Sequence, residues 1–472
     1  MHRSLVFAGA VVAAALATRD ASAQEPQPNP FAQVPPAPKV DDPMLAPAVP
    51  AKRQVASWAD ALSLVRARST DIATAVAEVR RAEAQSRIAL AAVLPTINGT
   101  ANAPHQFIVK HPEGGTGTGG GTGTGGGTGP QAVGSATPAG DFVAANVTVT
   151  QSVVNVQNWH SIKTAHENET AQALLVDDTI RTITLGAASS WVAVVAAERV
   201  AELNRVGLRS ALERRELTIR KRNLGVATGL DVVRADQDVA SARATLVTGD
   251  EALRKAREAF GLAIGIPEQV GVPAGANIDD VVAGATRTCP GIPELRERPD
   301  IAAAQKKLDI AERNVENVKL SFLPTLSASS TLATTTQDSA LVPTTWNVQA
   351  VLTVPIWDGG VRYGNLRSAR ALRDEAGFAL EAQTRAALVQ VEQARRGVAV
   401  AEQSLDVAKQ ARDLAAQVDQ LTQTAYRAGQ GTSLELVIAA SALRSAEIEL
   451  ALREFDVVQA KLSALFALAR CS

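Results

Sequence analysis

The sequence predicts a mainly α-helical chain with a β-barrel segment, built as two copies of a helix–strand–strand–long helical hairpin unit. Three observations point there. Leu-Pro-Thr occurs at Leu94–Thr96 and again at Leu323–Thr325, each time ending a helical pattern and opening an alternating one. Residues 158–223 and 362–427 contain no proline and keep a helical pattern throughout. Aromatic residues make up only 3% of the chain, so Ala, Val and Leu supply the apolar content. That composition suits long helices in close contact rather than several ordinary enzyme domains.

The chain has 472 residues and a formal net charge of −1, which gives no footing for a nucleic-acid partner. It starts with His2 and Arg3, an apolar run over Leu5–Ala17 and a small-x-small site at Ala21-Ser22-Ala23. This reads as a secretory signal peptide, residues 1–23, cleaved after Ala23. The run is shorter than the ~20 residues that a membrane span needs, so an exported protein without a spanning helix is expected. Residues 24–54 form a proline-rich leader, expected to be extended and mobile.

The first repeat covers 55–264. Its pattern is helical from Ala56 to Val93, and Pro95 ends it. Strands follow at about 96–109 and 141–154, joined by a Gly/Thr-rich loop at 113–130. That loop lacks the Gly-Lys-Ser/Thr ending of a phosphate loop, so it reads as an exposed connection. In the second strand Val143, Ala145, Val147 and Val149 alternate with Ala144, Asn146, Thr148 and Thr150. The helix over 158–223 would span roughly 100 Å. Gly225 and Gly229 mark a turn, and a second helix returns from Asp231 to Ile264. Residues 265–297 read as a loop-like segment between the repeats, with prolines at 267, 273, 290 and 293.

The second repeat, 298–470, follows the same order. Pro299 opens a helix that runs to Leu323. Strands are expected at about 325–334 and 345–356, with Trp346, Val348, Ala350, Leu352, Val354 and Ile356 on one face. A helix over 362–427 turns at Gly429 and Gly431 and returns from Leu434 to Ala469. The repeats align at two further places. Asp71 and Asp300 each stand 24 residues before the proline of Leu-Pro-Thr. Gly225-x-x-Thr228-x-Leu230-Asp231 matches Gly429-x-x-Thr432-x-Leu434-Glu435.

Strands of about ten residues with one apolar face suit an outer-membrane bilayer. Backbone groups in lipid must all be paired, so the sheet must close. Four strands are too few for a barrel, which starts at about eight. Other copies of the chain must complete it: two would supply eight strands and three would supply twelve. On the long second-repeat helix, Val391, Val398 and Leu405 form one seam. Val400, Val407, Leu414 and Leu421 form another on roughly the opposite side. A helix with two seams has neighbours on both sides, as in the wall of a tube, although a solid bundle also satisfies the pattern.

No enzyme motif is present. The five His residues are scattered, and His105 and His111 beside the glycine-rich loop read as solvated loop residues rather than metal ligands. No cofactor and no metal are expected. Cys289 and Cys471 are the two cysteines, and in an exported protein they can pair or stay free. The alternative to a membrane channel is a periplasmic coiled-coil adaptor, which also combines a signal peptide with long hairpins.

The chain resembles the TolC-like outer-membrane efflux proteins over about residues 55–470. The matching pieces are the duplicated unit, "RPDIAAAQKKLDIAERNVENVKLSFLPTLS" at 298–327, "LTVPIWDGG" at 352–360 and "AYRAGQGTSLELV" at 425–437. The resemblance implies a homotrimer with a 12-stranded outer-membrane barrel continued by a periplasmic helical tube. It implies a periplasmic adaptor and an inner-membrane pump as partners, and outer-membrane lipids as surroundings. It places the adaptor at the hairpin tips, here Gly225, Thr228, Gly229, Gly429, Gly431 and Thr432. It also implies a pore gate at Asp231, Tyr426 and Glu435. Two positions depart from the family pattern: Gly431 stands where a latch arginine would be, and Ile438 where a second acidic ring would be.

Overall fold

In the computed structural model, residues 40–103, 105, 142–273, 275, 278–336 and 344–471 are described. The expected signal peptide, residues 24–39 of the leader, most of the 96–109 strand beyond Asn102, the 113–130 loop and His111 lie outside them. The elements, in order, are β1 (Arg53–Gln54), α1 (Trp58–Arg68), α2 (Thr70–Ala91), β2 (Thr96–Asn102), β3 (Ala144–Val154), α3 (Val156–Asn223) and α4 (Gly229–Ala263). There follow β4 (Val270–Gly271), α5 (Ile278–Thr288), α6 (Pro299–Leu320), β5 (Thr325–Thr335), β6 (Thr344–Thr353), α7 (Val361–Arg427) and α8 (Ser433–Ala467).

Four expectations change. The stretch 56–93 is two helices, because Ser69 breaks it: its backbone is extended and its hydroxyl caps α2 by accepting from Ile72 N at 3.3 Å. The inter-repeat segment holds a helix, α5, whose Ile278, Val281, Val282 and Ala285 have helical spacing but are hidden in sequence by flanking prolines. The last strand stops at Thr353, so Val354 and Ile356 lie beyond it, next to Pro355. The described part of the leader is not a free tether. Val55 N donates to Gly271 O, β1 pairs in parallel with β4, and Asp42 forms an ion pair with Arg243 at 2.6 Å. Backbone groups that a proline-rich segment leaves unpaired are taken up by arginines on α3 and α4.

The core lies where both repeats meet. Trp58, Trp191 and Phe260 stack edge-to-face, with centroids 6.2 and 5.5 Å apart. Val65, Val194, Val281, Leu462 and Phe466 complete the cluster. By length and composition α3 is the one described helix able to cross a membrane. Its Ala187, Ala188, Trp191, Val192 and Val194 are instead packed in this core. The end of α8 is held by a buried arginine from each repeat: Arg181 donates to Phe466 O at 3.0 Å and Arg298 to Ala467 O at 3.2 Å. Both satisfy terminal carbonyls of the helix and oppose its negative end. Beside them Cys289 and Cys471 are joined as a disulfide with a sulfur separation of 1.92 Å. Thiol labelling of exported protein should therefore find no reactive cysteine before reduction. Reduction should cost roughly 3–5 kcal/mol, since it frees a loop of 182 residues; an unchanged melting temperature would contradict this.

The larger sheet has the order β2-β3-β5-β6, antiparallel throughout. Register makes its two faces chemically distinct. Ile97, Val149, Ser330 and Val348 lie in one row across the strands, and Gly99, Val147, Leu332 and Trp346 in the next. The opposite face carries Asn98, Thr148, Thr331 and Asn347, then Thr100, Asn146, Ala333 and Thr345. Polar groups on that face bond laterally, Thr100 to Asn146 at 2.6 Å and Thr148 to Thr331 at 3.2 Å. No strand of this sheet contains a charged residue. Among the described residues of the protomer nothing covers the apolar face: Ile97, Trp346, Val348 and Leu352 are 65–73% exposed. The outer edges of β2 and β6 have no partner strand among the described residues.

Candidate functional site

The hairpin tips concentrate the chemistry. Each descending helix ends in the same device. Gly225 and Gly429 adopt φ of 74° and 76°. Val226 N then bonds to Lys221 O and Gln430 N to Ala425 O, both at 2.9 Å, reversing the chain and satisfying terminal carbonyls. Gly229 and Gly431 are not in the left-handed region. Gly229 starts α4, and a Cβ there would meet nothing within 4 Å. Gly431 is confined by space, since a Cβ would come 3.0 Å from Tyr426 N. Alanine at Gly429 should therefore destabilise the tip by about 1–2 kcal/mol, while alanine at Gly229 should be neutral or mildly favourable. Hydrogen exchange of the tip amides would read the contrast, and equal effects would refute it.

Each returning helix begins with a reciprocal cap. Thr228 Oγ1 accepts from Asp231 N at 3.2 Å, and Asp231 Oδ2 accepts from Thr228 N at 2.8 Å. Thr432 and Glu435 repeat the arrangement at 3.2 and 2.9 Å. The two carboxylates then differ. Glu435 stays exposed and bonds within its own cap. Asp231 reaches across the repeats and accepts a hydrogen bond from the Ser433 hydroxyl on α8. That bond, followed by those from Thr228, holds the Asp231 carboxyl below its ordinary value.

A second contact joins the ends of α3 and α7. Tyr426 is buried, with Thr218 beside its hydroxyl. Lys221 Nζ lies 3.6 Å from the centroid of the Tyr426 ring and donates to the Tyr426 carbonyl at 3.4 Å. Burial, then the neighbouring Arg427 charge, pushes the Lys221 pKa down. Burial raises that of Tyr426. The structure thus brings Asp231 and Tyr426 into one tip assembly, with Asp231 on Ser433 and Tyr426 on Thr218 and Lys221. Glu435 stands apart from those contacts, and Ile438, one helical turn further, is 58% exposed.

Sequence reasoning missed Thr218, Lys221 and Ser433. One signal was present: in the aligned turns Ser433 stands opposite Gly229, so only the second repeat has a hydroxyl there. Thr218 and Lys221 left none, because they face Tyr426 only where the tip ends of α3 and α7 meet. Between the tips and the core, Arg214 and Arg444 converge on buried Asp238 at 2.6 and 3.6 Å, joining α3, α4 and α8.

A family model described as outer membrane efflux protein matches residues 61–265 and 294–469. The pyoverdine export outer membrane protein OpmQ of Pseudomonas aeruginosa is 26% identical over 382 residues, covering 78% of this chain and 76% of that protein. Among solved structures, CusC superimposes with a TM-score of 0.74 at 18% identity, over 92% of this chain and 99% of that one. The Campylobacter jejuni CmeC outer membrane channel gives 0.72 at 15% identity, over 92% and 94%. Both repeats are matched, the fold is the one CusC has, and the chain belongs to the outer membrane efflux protein family.

Proposed function

We propose that three copies of this chain form a duct that carries cargo from a periplasmic adaptor and inner-membrane pump across the outer membrane. The observation that supports it most is the sheet: four strands, one apolar face, one uncharged polar face and two open edges. β6 of one copy beside β2 of the next continues the antiparallel order. Closure then satisfies every edge, turns the apolar face to lipid and leaves hydroxyl and amide groups around a wet lumen.

The helices support the same assembly. Val400, Val407, Leu414 and Leu421 on α7 are 59–71% exposed. On α4, Val233 and Val247 are 62% and 58% exposed. Leu421 and Val233 lie about 6–9 Å from the tip ends of their helices, and Val407 and Val247 about 27–30 Å. Antiparallel helices of adjacent copies would bring these stripes together at matching heights. Light scattering and negative-stain imaging of detergent-extracted protein test the reading. A trimer with a hollow stalk is expected; a monomer in the soluble fraction would favour the adaptor alternative.

In this duct the tips close the periplasmic end, and Gly225, Thr228, Gly229, Gly429, Gly431 and Thr432 form the surface presented to an adaptor. Asp231 and Tyr426 hold the two hairpins together, and Lys221 supplies a cation beside Tyr426 although Gly431 lacks one. Glu435 forms the acidic ring of the pore, with Ile438 adding an apolar ring one turn deeper. Glu435→Gln should then reduce cation preference in planar-bilayer recordings, and an unchanged reversal potential would remove the ring assignment.

A further inference from the structure

The two hairpins are not equivalent along their length. Residues 42–49 run along α3 and α4 of the first-repeat hairpin towards the core, where Arg53–Val55 pair with β4. Asp42 pairs with Arg243 on α4 at 2.6 Å. Ala46 O accepts from Arg205 Nε on α3 at 2.9 Å, and Val49 O from Arg257 Nη1 on α4 at 2.8 Å. Arg205 and Arg257 are nearly buried and also bind Asp250 and Glu198, so the guanidinium groups are fixed before they meet the strap. Met44 and Leu45 add an apolar anchor against the cluster of Leu208, Ala211, Val239, Ala242 and Leu246.

The lengths match. The 14 residues of α4 from Arg243 to Arg257 rise about 21 Å. The seven steps from Asp42 to Val49, with one 3-10 turn at Pro43–Leu45, cover about 18 Å, and the long arginine side chains span the remainder. Arg243, Asp250 and Arg257 are spaced by seven residues and share one stripe of α4. The strap therefore runs alongside α4 as a third member of the hairpin, and Pro43, Pro47 and Pro50 limit its freedom to leave. In the second repeat the chain ahead of α6, residues 289–298, instead meets the end of α8. Gly291 bridges Ala469, and Ile292 N bonds to Leu468 O at 3.0 Å.

We propose that Asp42–Val55 is a brace that stiffens the upper half of the α3–α4 hairpin and leaves α7–α8 unstiffened at the same height. Stiffness is a property of the single chain, so this inference stands or falls separately from the duct reading. If the protein is a duct, the brace makes the two hairpins respond unequally when the tips are pulled apart.

The test is hydrogen–deuterium exchange on the full chain, extracted from membranes in its native assembly. Two variants are compared with the parent. Asp42→Ala with Arg243→Gln removes the ion pair. Pro47→Gly with Pro50→Gly keeps every charged partner but lets the strap move. In both, amides in residues 201–212 and 235–257 should exchange about tenfold faster, equivalent to about 1.4 kcal/mol, with α7 and α8 changed less than about twofold. Unchanged exchange in α3 and α4 overturns the proposal. Equal acceleration in all four helices also overturns it, because that is general loosening rather than loss of a brace.

Discussion

Replacing Val348 with arginine is expected to remove the protein from the membrane fraction, whereas the same change at Gln349 is expected to leave it there. The two residues are neighbours near the middle of β6 and point to opposite faces of the sheet. Val348 lies in the row of Ile97 and Val149, and is 67% exposed in the protomer. An arginine on a lipid-facing surface at mid-depth costs about 2–4 kcal/mol per chain. A cyclic assembly repeats that cost in every copy, which is enough to reduce assembled protein more than about tenfold. Gln349 pairs with Ser329, on the face that also carries Thr148 and Thr331. Arginine there would meet water, so assembly should be retained. Because the strands hold no charge of their own, the added cations should shift selectivity toward anions. Membrane fractionation with heat-modified gel mobility reads the first variant, and planar-bilayer reversal potentials the second. Equal loss of both variants would mean that the two faces do not differ as lipid and lumen.

The second large effect is expected at the tips. Asp231–Ser433 and the Lys221–Tyr426–Thr218 group join the hairpins on opposite sides of the same turn. Each is worth roughly 1.5–3 kcal/mol as a charge-assisted contact in a partly buried place. Ser433→Ala or Lys221→Met alone should therefore raise the open population of reconstituted channels roughly 10–100-fold. The two changes together should raise it roughly 100–10,000-fold, because neither contact then remains. Lys221→Arg should rescue the Tyr426 contact. An unaltered closed-state conductance in the double variant would show that these contacts do not hold the tips. The acid response has a definite sign. The Asp231 pKa is lowered by folding, so its contribution is fully present above the ordinary carboxylate value and is lost only as pH falls through the lower folded value. The Asp231–Ser433 contact should thus be insensitive to pH near neutrality.

Much of the architecture was legible because its causes are local. Pro95 and Pro324 interrupt helices wherever they are placed. The alternation in 144–150 and 346–352 sets two faces without reference to any partner. Proline-free stretches delimited α3 and α7 to within two residues. The internal repeat followed from matching turns. Misreadings arose where local signals gave the wrong weight. Prolines around 265–293 masked the amphipathic spacing of α5, and a continuous helical pattern hid the cap at Ser69. The proline-rich leader looked unattached because its partners, Arg205, Arg243 and Arg257, lie some 160–210 residues away.

The order of the long helices and sheet strands, the duplication, the two-faced strands and the turn glycines are written in the sequence, since dihedral preference and periodicity act over a few residues. The sequence also placed Asp231, Tyr426 and Glu435 at the tips. What those side chains touch is set by how the helices pack. Asp231 and Glu435 occupy equivalent caps, yet one reaches Ser433 and the other remains in its own turn. That difference depends on how α4 lies against α8, a contact between residues more than 200 positions apart. The same holds for Lys221 over Tyr426, for the strap on α4 and for the joining of Cys289 to Cys471. Pairings of this kind are set by the packing of whole helices, and no local pattern encodes them.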